Sequence, residues 1–164
     1  MAGKPVINLD DLDLVKRGNG ASFEAEISSF GPQIGSTGLG CMLHVVQPGR
    51  KAFPRHAHHQ IHELFIILEG EGTYRFGDES YPVKAGDVCA APTGGSETAH
   101  QIRNTGSVPL KYLGVSTVAE TEVVEYPDSD KFAVISRFDW STMSGGVRSI
   151  GRTRDSLDYF DGEE

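Results

Sequence analysis

Cysteine is nearly absent from this 164-residue chain: Cys41 and Cys89 are the only two. Their spacing fits neither a CxxC metal knot nor a disulfide framework. The opening Met1-Ala-Gly-Lys-Pro lacks the apolar core of a signal peptide, so reduced thiols in a cytoplasmic protein are expected. Basic charge is also scarce, with 15 Lys and Arg against 23 Asp and Glu and a formal net charge of −8. No basic run supplies the face that phosphate backbones require, which excludes nucleic acid as the expected partner. No apolar run reaches about 18 residues, so no membrane-spanning helix is expected. Helix signals are few. Asn8 could cap a short turn through Leu9, Leu12 and Val15, but that pattern stops at Gly18.

What is present suits one all-β domain over residues 1–164. Hydrophobic residues make up 38% of the chain, and 20 Gly with 8 Pro fall short of a low-complexity composition. The dominant period is two. Ser22–Phe30 alternates, Leu39–Val46 is a mostly apolar strand closed by Pro48-Gly49, and Glu63–Glu69 is another, closed by Gly70. Thr73–Phe76 meets Gly77-Asp78, a hairpin signal, and strands follow at Ser80–Val83, Asp87–Ala91, Ala99–Arg103 and Leu110–Thr117. Short strands at this spacing indicate a barrel or sandwich with its core at about 39–117. The arm 1–38 and the extension 118–164, with its strand candidate Phe132–Ile135, are expected to fold back over the barrel or pack on a second subunit.

Five of the six histidines lie between residues 56 and 100, four of them within His56-Ala-His-His-Gln-Ile-His62. On a strand, His56 and His58 share a face and can chelate one ion, and neutral imidazole suits Zn, Fe, Ni or Cu. A nearby carboxylate extends that choice to Mn. Uninterrupted alternation would bring His62, not Glu63, to the same face. His59 points away under either register, and His44 reads as an ordinary half-buried strand residue. If His100 points inward, Arg103 has the opposite parity and points out. Asn104 is placed to end a strand and form a turn.

From Gly49 the chain runs Gly-x6-His56-x-His58-x4-Glu63-x6-Gly70, then Gly86-x5-Pro92-x-Gly94-x5-His100-x3-Asn104. These resemble the paired motifs of the cupins, small jelly-roll barrels built as a double-stranded β-helix. The resemblance covers about residues 39–117. It implies a metal site of His56, His58, Glu63 and His100, with His62 the alternative that parity nominates, holding one divalent transition metal ion (Zn, Mn, Fe or Ni). Two spacings depart from the family: six residues rather than five before His56, and five rather than two between Gly94 and His100. The second falls in the polar loop Gly95–Thr98, where nothing places a phosphate cradle at a helix start.

The resemblance extends to small bacterial single-domain cupins provisionally labelled sugar-phosphate isomerases. It implies a metalloenzyme acting on a small polar metabolite, with a homodimer as the expected assembly. Two other functions fit the same residues: a non-catalytic module binding metal and a small molecule, and an Fe or Ni dioxygenase. A metal-free structural barrel is disfavoured by the intact ligand set.

Overall fold

The computed structural model describes residues 4–139 and 144–163. Among these residues the strands are β1 (Val15–Asn19), β2 (Phe23–Ser29), β3 (Leu39–Val46), β4 (Ala57–His58), β5 (Glu63–Glu69), β6 (Glu71–Phe76) and β7 (Glu79–Lys84). They continue with β8 (Val88–Ala91), β9 (His100–Arg103), β10 (Leu110–Thr117), β11 (Thr121–Tyr126), β12 (Lys131–Ser136) and β13 (Val147–Gly151). Helical turns are short 3-10 segments. Three antiparallel sheets form, in the orders β1-β2-β3-β10-β5-β8, β7-β6-β9 and β13-β12-β11-β4. A bridge between His56 and His100 joins the second sheet to the third. The fold is the all-β cupin barrel that the motifs imply.

Alternation decides which side chains enter the barrel. Along β5, Phe65 and Ile67 are buried inside while Leu64 faces outward and is 38% exposed. The interior core combines Val46, Phe65, Ile67, Tyr74, Ile102, Leu110 and Tyr112. The arm 1–38 folds back, as expected. Its β1 and β2 extend the large sheet beside β3, and Leu12 and Phe30 cover Leu43 on the outer face, with Ile7, Leu9 and Ile34 packed around them. The turn capped by Asn8 is shorter than the sequence pattern suggests. It spans Leu9–Asp11, with the Asn8 side chain accepting from Asp10 N, and Val15 already opens β1.

Turn chemistry closes the barrel. Gly77-Asp78 is a two-residue connection between β6 and β7, with Gly77 at φ 55°. Gly70 separates β5 from β6 at φ 79°, and a Cβ there would lie 2.5 Å from Pro109 O, so a side chain is excluded by both backbone and space. Asn104 ends β9 as expected and is fully buried. Its Nδ2 donates to Val46 O and Val108 O at 2.7 and 2.8 Å, and its Oδ1 accepts from Gly106 N at 2.9 Å.

The extension supplies a third wall. β11 pairs with β4, placing Val124 opposite His58, and with β12, which contains the anticipated strand Phe132–Ile135. Farther on, Leu157, Tyr159 and Phe160 are exposed. Among the described residues no helix is long and apolar enough to cross a membrane.

Candidate metal centre

His56 and His100 are neighbours across an antiparallel bridge, each donating its backbone N–H to the other's carbonyl at 3.1 and 2.8 Å. His58 follows two residues after His56, on the same face. Glu63 opens β5 opposite Ser116 of β10, and its carboxylate meets all three imidazoles. Glu63 Oε2 lies 2.9 Å from His100 Nε2, 3.3 Å from His58 Nε2 and 3.7 Å from His56 Nε2. One ligand atom each from His56, His58 and Glu63 lies within 4.8 Å of the other two.

His62 stays outside this cluster. Its side chain is exposed, and its backbone N–H donates to Thr117 Oγ1 at 2.9 Å. The parity that nominates His62 assumes one continuous strand, whereas β4 ends at His58 and β5 begins at Glu63. The intervening bend shifts the alternation by one residue, and Glu63 turns inward instead. His59 faces away, as its parity requires, and its Nε2 is 2.8 Å from Glu125 Oε1. Arg103 is exposed.

The outward nitrogens explain how the imidazoles are held. His56 Nδ1 lies 2.8 Å from Pro54 O, and His100 Nδ1 lies 3.3 Å from Thr98 O. A carbonyl can only accept, so each Nδ1 carries the proton whenever these contacts are made. A neutral ring has one N–H, so with the proton on Nδ1 the Nε2 is free to ligate, and with the proton on Nε2 the ring donates to Glu63 instead, His100 at 2.9 Å. Burial drives His100 towards its neutral form, opposed by its hydrogen bond to Glu63, and the balance lies below the usual imidazole value. For Glu63, burial opposes ionisation, but hydrogen bonding to His100, His56 and His58 outweighs it and holds the carboxyl far below its ordinary range. A divalent cation can replace the inward protons, leaving the Nε2 lone pairs and the Glu63 carboxylate to ligate it. The separations of 2.9–3.7 Å match the edges of a coordination polyhedron with bonds of about 2.1 Å. The set of His56, His58 and Glu63 therefore fits a divalent metal, while His100 reaches Glu63 at 2.9 Å but stands outside that mutual 4.8 Å group.

A cavity of about 390 Å³ opens onto these residues and is lined by His56, His58 and Glu63 together with Met42, Phe53, Phe65, Val124 and Ile135. His44 also lines it. Contrary to the half-buried expectation, His44 is only 3% exposed, its ring stacked on Tyr112 at a centroid distance of 4.4 Å. Burial lowers its pKa to about 4, so the ring is neutral at neutral pH. No lysine or arginine lines the cavity among the described residues. In the Gly95–Thr98 loop, Gly95 N donates to Glu97 Oε1 at 2.9 Å, so a carboxylate already occupies the place a phosphate cradle would need.

Two buried charged residues escaped the sequence reading. Arg55 is 5% exposed and donates to Gly77 O, Ser96 O and Asp128 Oδ1, tying the segment before His56 to three connecting segments. Glu122 is 4% exposed and lies under the bend that follows His58. Neither has a local signal, because their partners are distant in the chain.

Residues 42–116 match the family model described as "Cupin domain". The chain carries a cupin domain. The cupin fold extends well beyond that match. A protein from Acidithiobacillus ferrooxidans, provisionally named a sugar phosphate isomerase, superposes with a TM-score of 0.77 at 22% identity, over 94% of this chain and 96% of that one. A Silicibacter pomeroyi structure named a sugar phosphate isomerase from a cupin superfamily gives 0.74 at 24% identity, over 96% and 98% of the two chains. At these identities the likeness is one of fold. The oxalate-binding protein of Thermotoga maritima is 42% identical over 60 residues, which are 37% of this chain and 47% of that protein. The chain thus spans about half the length of the curated relatives it matches.

Proposed function

We propose that this cupin binds one divalent transition metal through His56, His58, Glu63 and His100, and uses it to bind and activate a small, oxygen-rich metabolite. The observation that carries this reading is the outward anchoring of His56 and His100. With their Nδ1 atoms beside Pro54 O and Thr98 O, their Nε2 atoms converge on the Glu63 carboxylate. A bound ion would act as a Lewis acid towards a substrate carbonyl, hydroxyl or carboxylate.

The chain's own residues would do the rest. His56, His58 and His100 would supply the nitrogen ligands, with burial keeping His100 neutral. Glu63 stays ionised, which makes it an oxygen ligand rather than a proton donor. Met42, Phe53, Phe65, Val124 and Ile135 form a largely apolar wall that limits water around a bound molecule. Neutral His44 faces the same cavity and offers a hydrogen-bonding edge without a charge.

Substrate class divides the possibilities. The isomerase names of the two structural relatives suggest a sugar phosphate, but the described cavity lining offers no cationic side chain for a phosphate. The partial likeness to an oxalate-binding protein supports a small carboxylate that reaches the metal directly, and it also favours a second reading in which the ligand is bound without turnover. Calorimetric titration of metal-loaded protein with oxalate, glycolate and ribose 5-phosphate tests this. Saturable binding of the carboxylates, lost on metal removal, is expected. Equal binding with and without metal would overturn the proposal. Product formation followed by mass spectrometry then separates enzyme from binding module.

A further inference from the structure

We infer that Glu122, on the extension strand β11, is the positioning residue that sets the register of the metal centre. It holds the bend after His58 so that Glu63, and not His62, turns towards the histidines. This inference rests on the metal-binding reading above.

The bend is built around one carboxylate. Glu122 Oε1 accepts from His59 N at 2.8 Å and from Gln60 N at 3.2 Å, and Oε2 accepts from Ile61 N at 2.8 Å and from Gln60 N at 3.3 Å. Along an extended strand successive N–H groups point to opposite sides. Three consecutive N–H groups can converge on one acceptor only where the backbone curls into a concave nest. The carboxylate is therefore compatible with the bend and incompatible with a straight strand through residues 58–63. Straightening the segment would leave Glu122, 4% exposed, without these donors and would return His62 to the face of His56 and His58.

β11 grips the same segment by its backbone, with His59 N also donating to Val123 O at 3.0 Å and Val124 paired with His58. Glu122 further acts beside a ligand. His58 Nδ1 is buried without a hydrogen-bond partner, and Glu122 Oε2 faces it at 3.9 Å. A polar group behind a ligating imidazole orients the ring, and such outer partners affect metal affinity strongly. Glu122 lies outside residues 42–116, the span of the family match. The device that sets the ligand register thus comes from the extension rather than from the barrel motifs.

The test is Co(II) titration of the full chain against a chelating dye, with the visible absorption of the bound ion recorded for wild type, Glu122→Ala, Glu122→Gln and His62→Ala. Circular dichroism at the titration temperature establishes that each variant is folded. Glu122→Ala is expected to lose about 10- to 100-fold in Co(II) affinity with an altered absorption spectrum, since the ligand set itself changes. Glu122→Gln, which keeps one acceptor oxygen, should fall between it and wild type, and His62→Ala should match wild type. If Glu122→Ala does not fold, Glu122→Gln carries the comparison alone. A folded Glu122 variant with wild-type affinity and spectrum would overturn the positioning role while leaving the metal site intact. Failure of the wild type to bind Co(II) would overturn the metal reading, and this inference with it.

Discussion

Replacing His44 with leucine should flatten the acid limb of this protein's stability curve. His44 has a pKa lowered from 6.5 to about 4 because burial penalises its charged form, a penalty only partly offset by the polar backbone of Tyr112 and Met42 and by the charge of Glu63. The sign follows from proton uptake. As pH falls through 6.5 the unfolded chain takes up a proton that the folded chain refuses until about pH 4, so folding loses stability across that window. At about pH 4.5 the unfolded-state histidine is almost fully protonated and the folded one still mostly neutral. This gap of roughly two pH units amounts to about 2.5 kcal/mol, present near pH 7.5 and gone near pH 4.5. Burial likewise lowers the His100 pKa, but it does so in both proteins and cancels in the comparison. The assay is urea denaturation of metal-free wild type and His44→Leu at both pH values. The variant starts from a lower stability, having lost the stacking on Tyr112, yet should lose about 2.5 kcal/mol less on acidification. Parallel pH profiles would refute the claim that His44 is held neutral inside the barrel.

Asn104→Ala should cost about 3–5 kcal/mol, because it strips partners from Val46 O, Val108 O and Gly106 N in a fully buried site. A urea midpoint implying a loss below about 1 kcal/mol would contradict that role. Cys89 is buried, with its thiol pushed up to about 11 by burial and by the charge of Asp87. It should resist thiol reagents near pH 8 in the native protein and react on unfolding, and rapid native-state labelling mapped to Cys89 by mass spectrometry would count against the described core.

Much of this fold is legible in the sequence, for physical reasons that also mark where legibility ends. β3 and β5 run over the residues that alternation and the closing signals Pro48-Gly49 and Gly70 mark out. Both strands carry apolar residues on two faces, one filling the barrel and one covered by other elements, so their hydropathy is strong. β1 has five exposed residues and no buried face, which leaves an edge strand without a pattern. β11 is harder still, because one of its two buried side chains is Glu122. An acid turned inward inverts the signal that alternation relies on, and its partners, at residues 59–61, are some sixty positions earlier in the chain.

The site divides along the same line. The spacing of His56 and His58 marks their shared face locally, and the paired motifs add Glu63 and His100. Parity alone points to His62, since the bend that defeats it depends on a carboxylate that no local pattern connects to it. The burial of His44 is similarly a property of the closed barrel. Its stacking partner, Tyr112, lies on β10, paired directly with β3.

The central claim is that His56, His58, Glu63 and His100 hold a metal ion, and elemental mass spectrometry tests it most directly. Protein purified untagged and without chelator would be compared with His58→Ala. Near-stoichiometric Fe or Ni would direct the search to oxygen chemistry on small acids and diols, and Zn or Mn to isomerase and hydrolase reactions. The account predicts close to one divalent transition metal ion per chain in the wild type and a large loss in the variant. A folded wild type that stays metal-free after reconstitution, or a variant that retains the full metal complement, would contradict it.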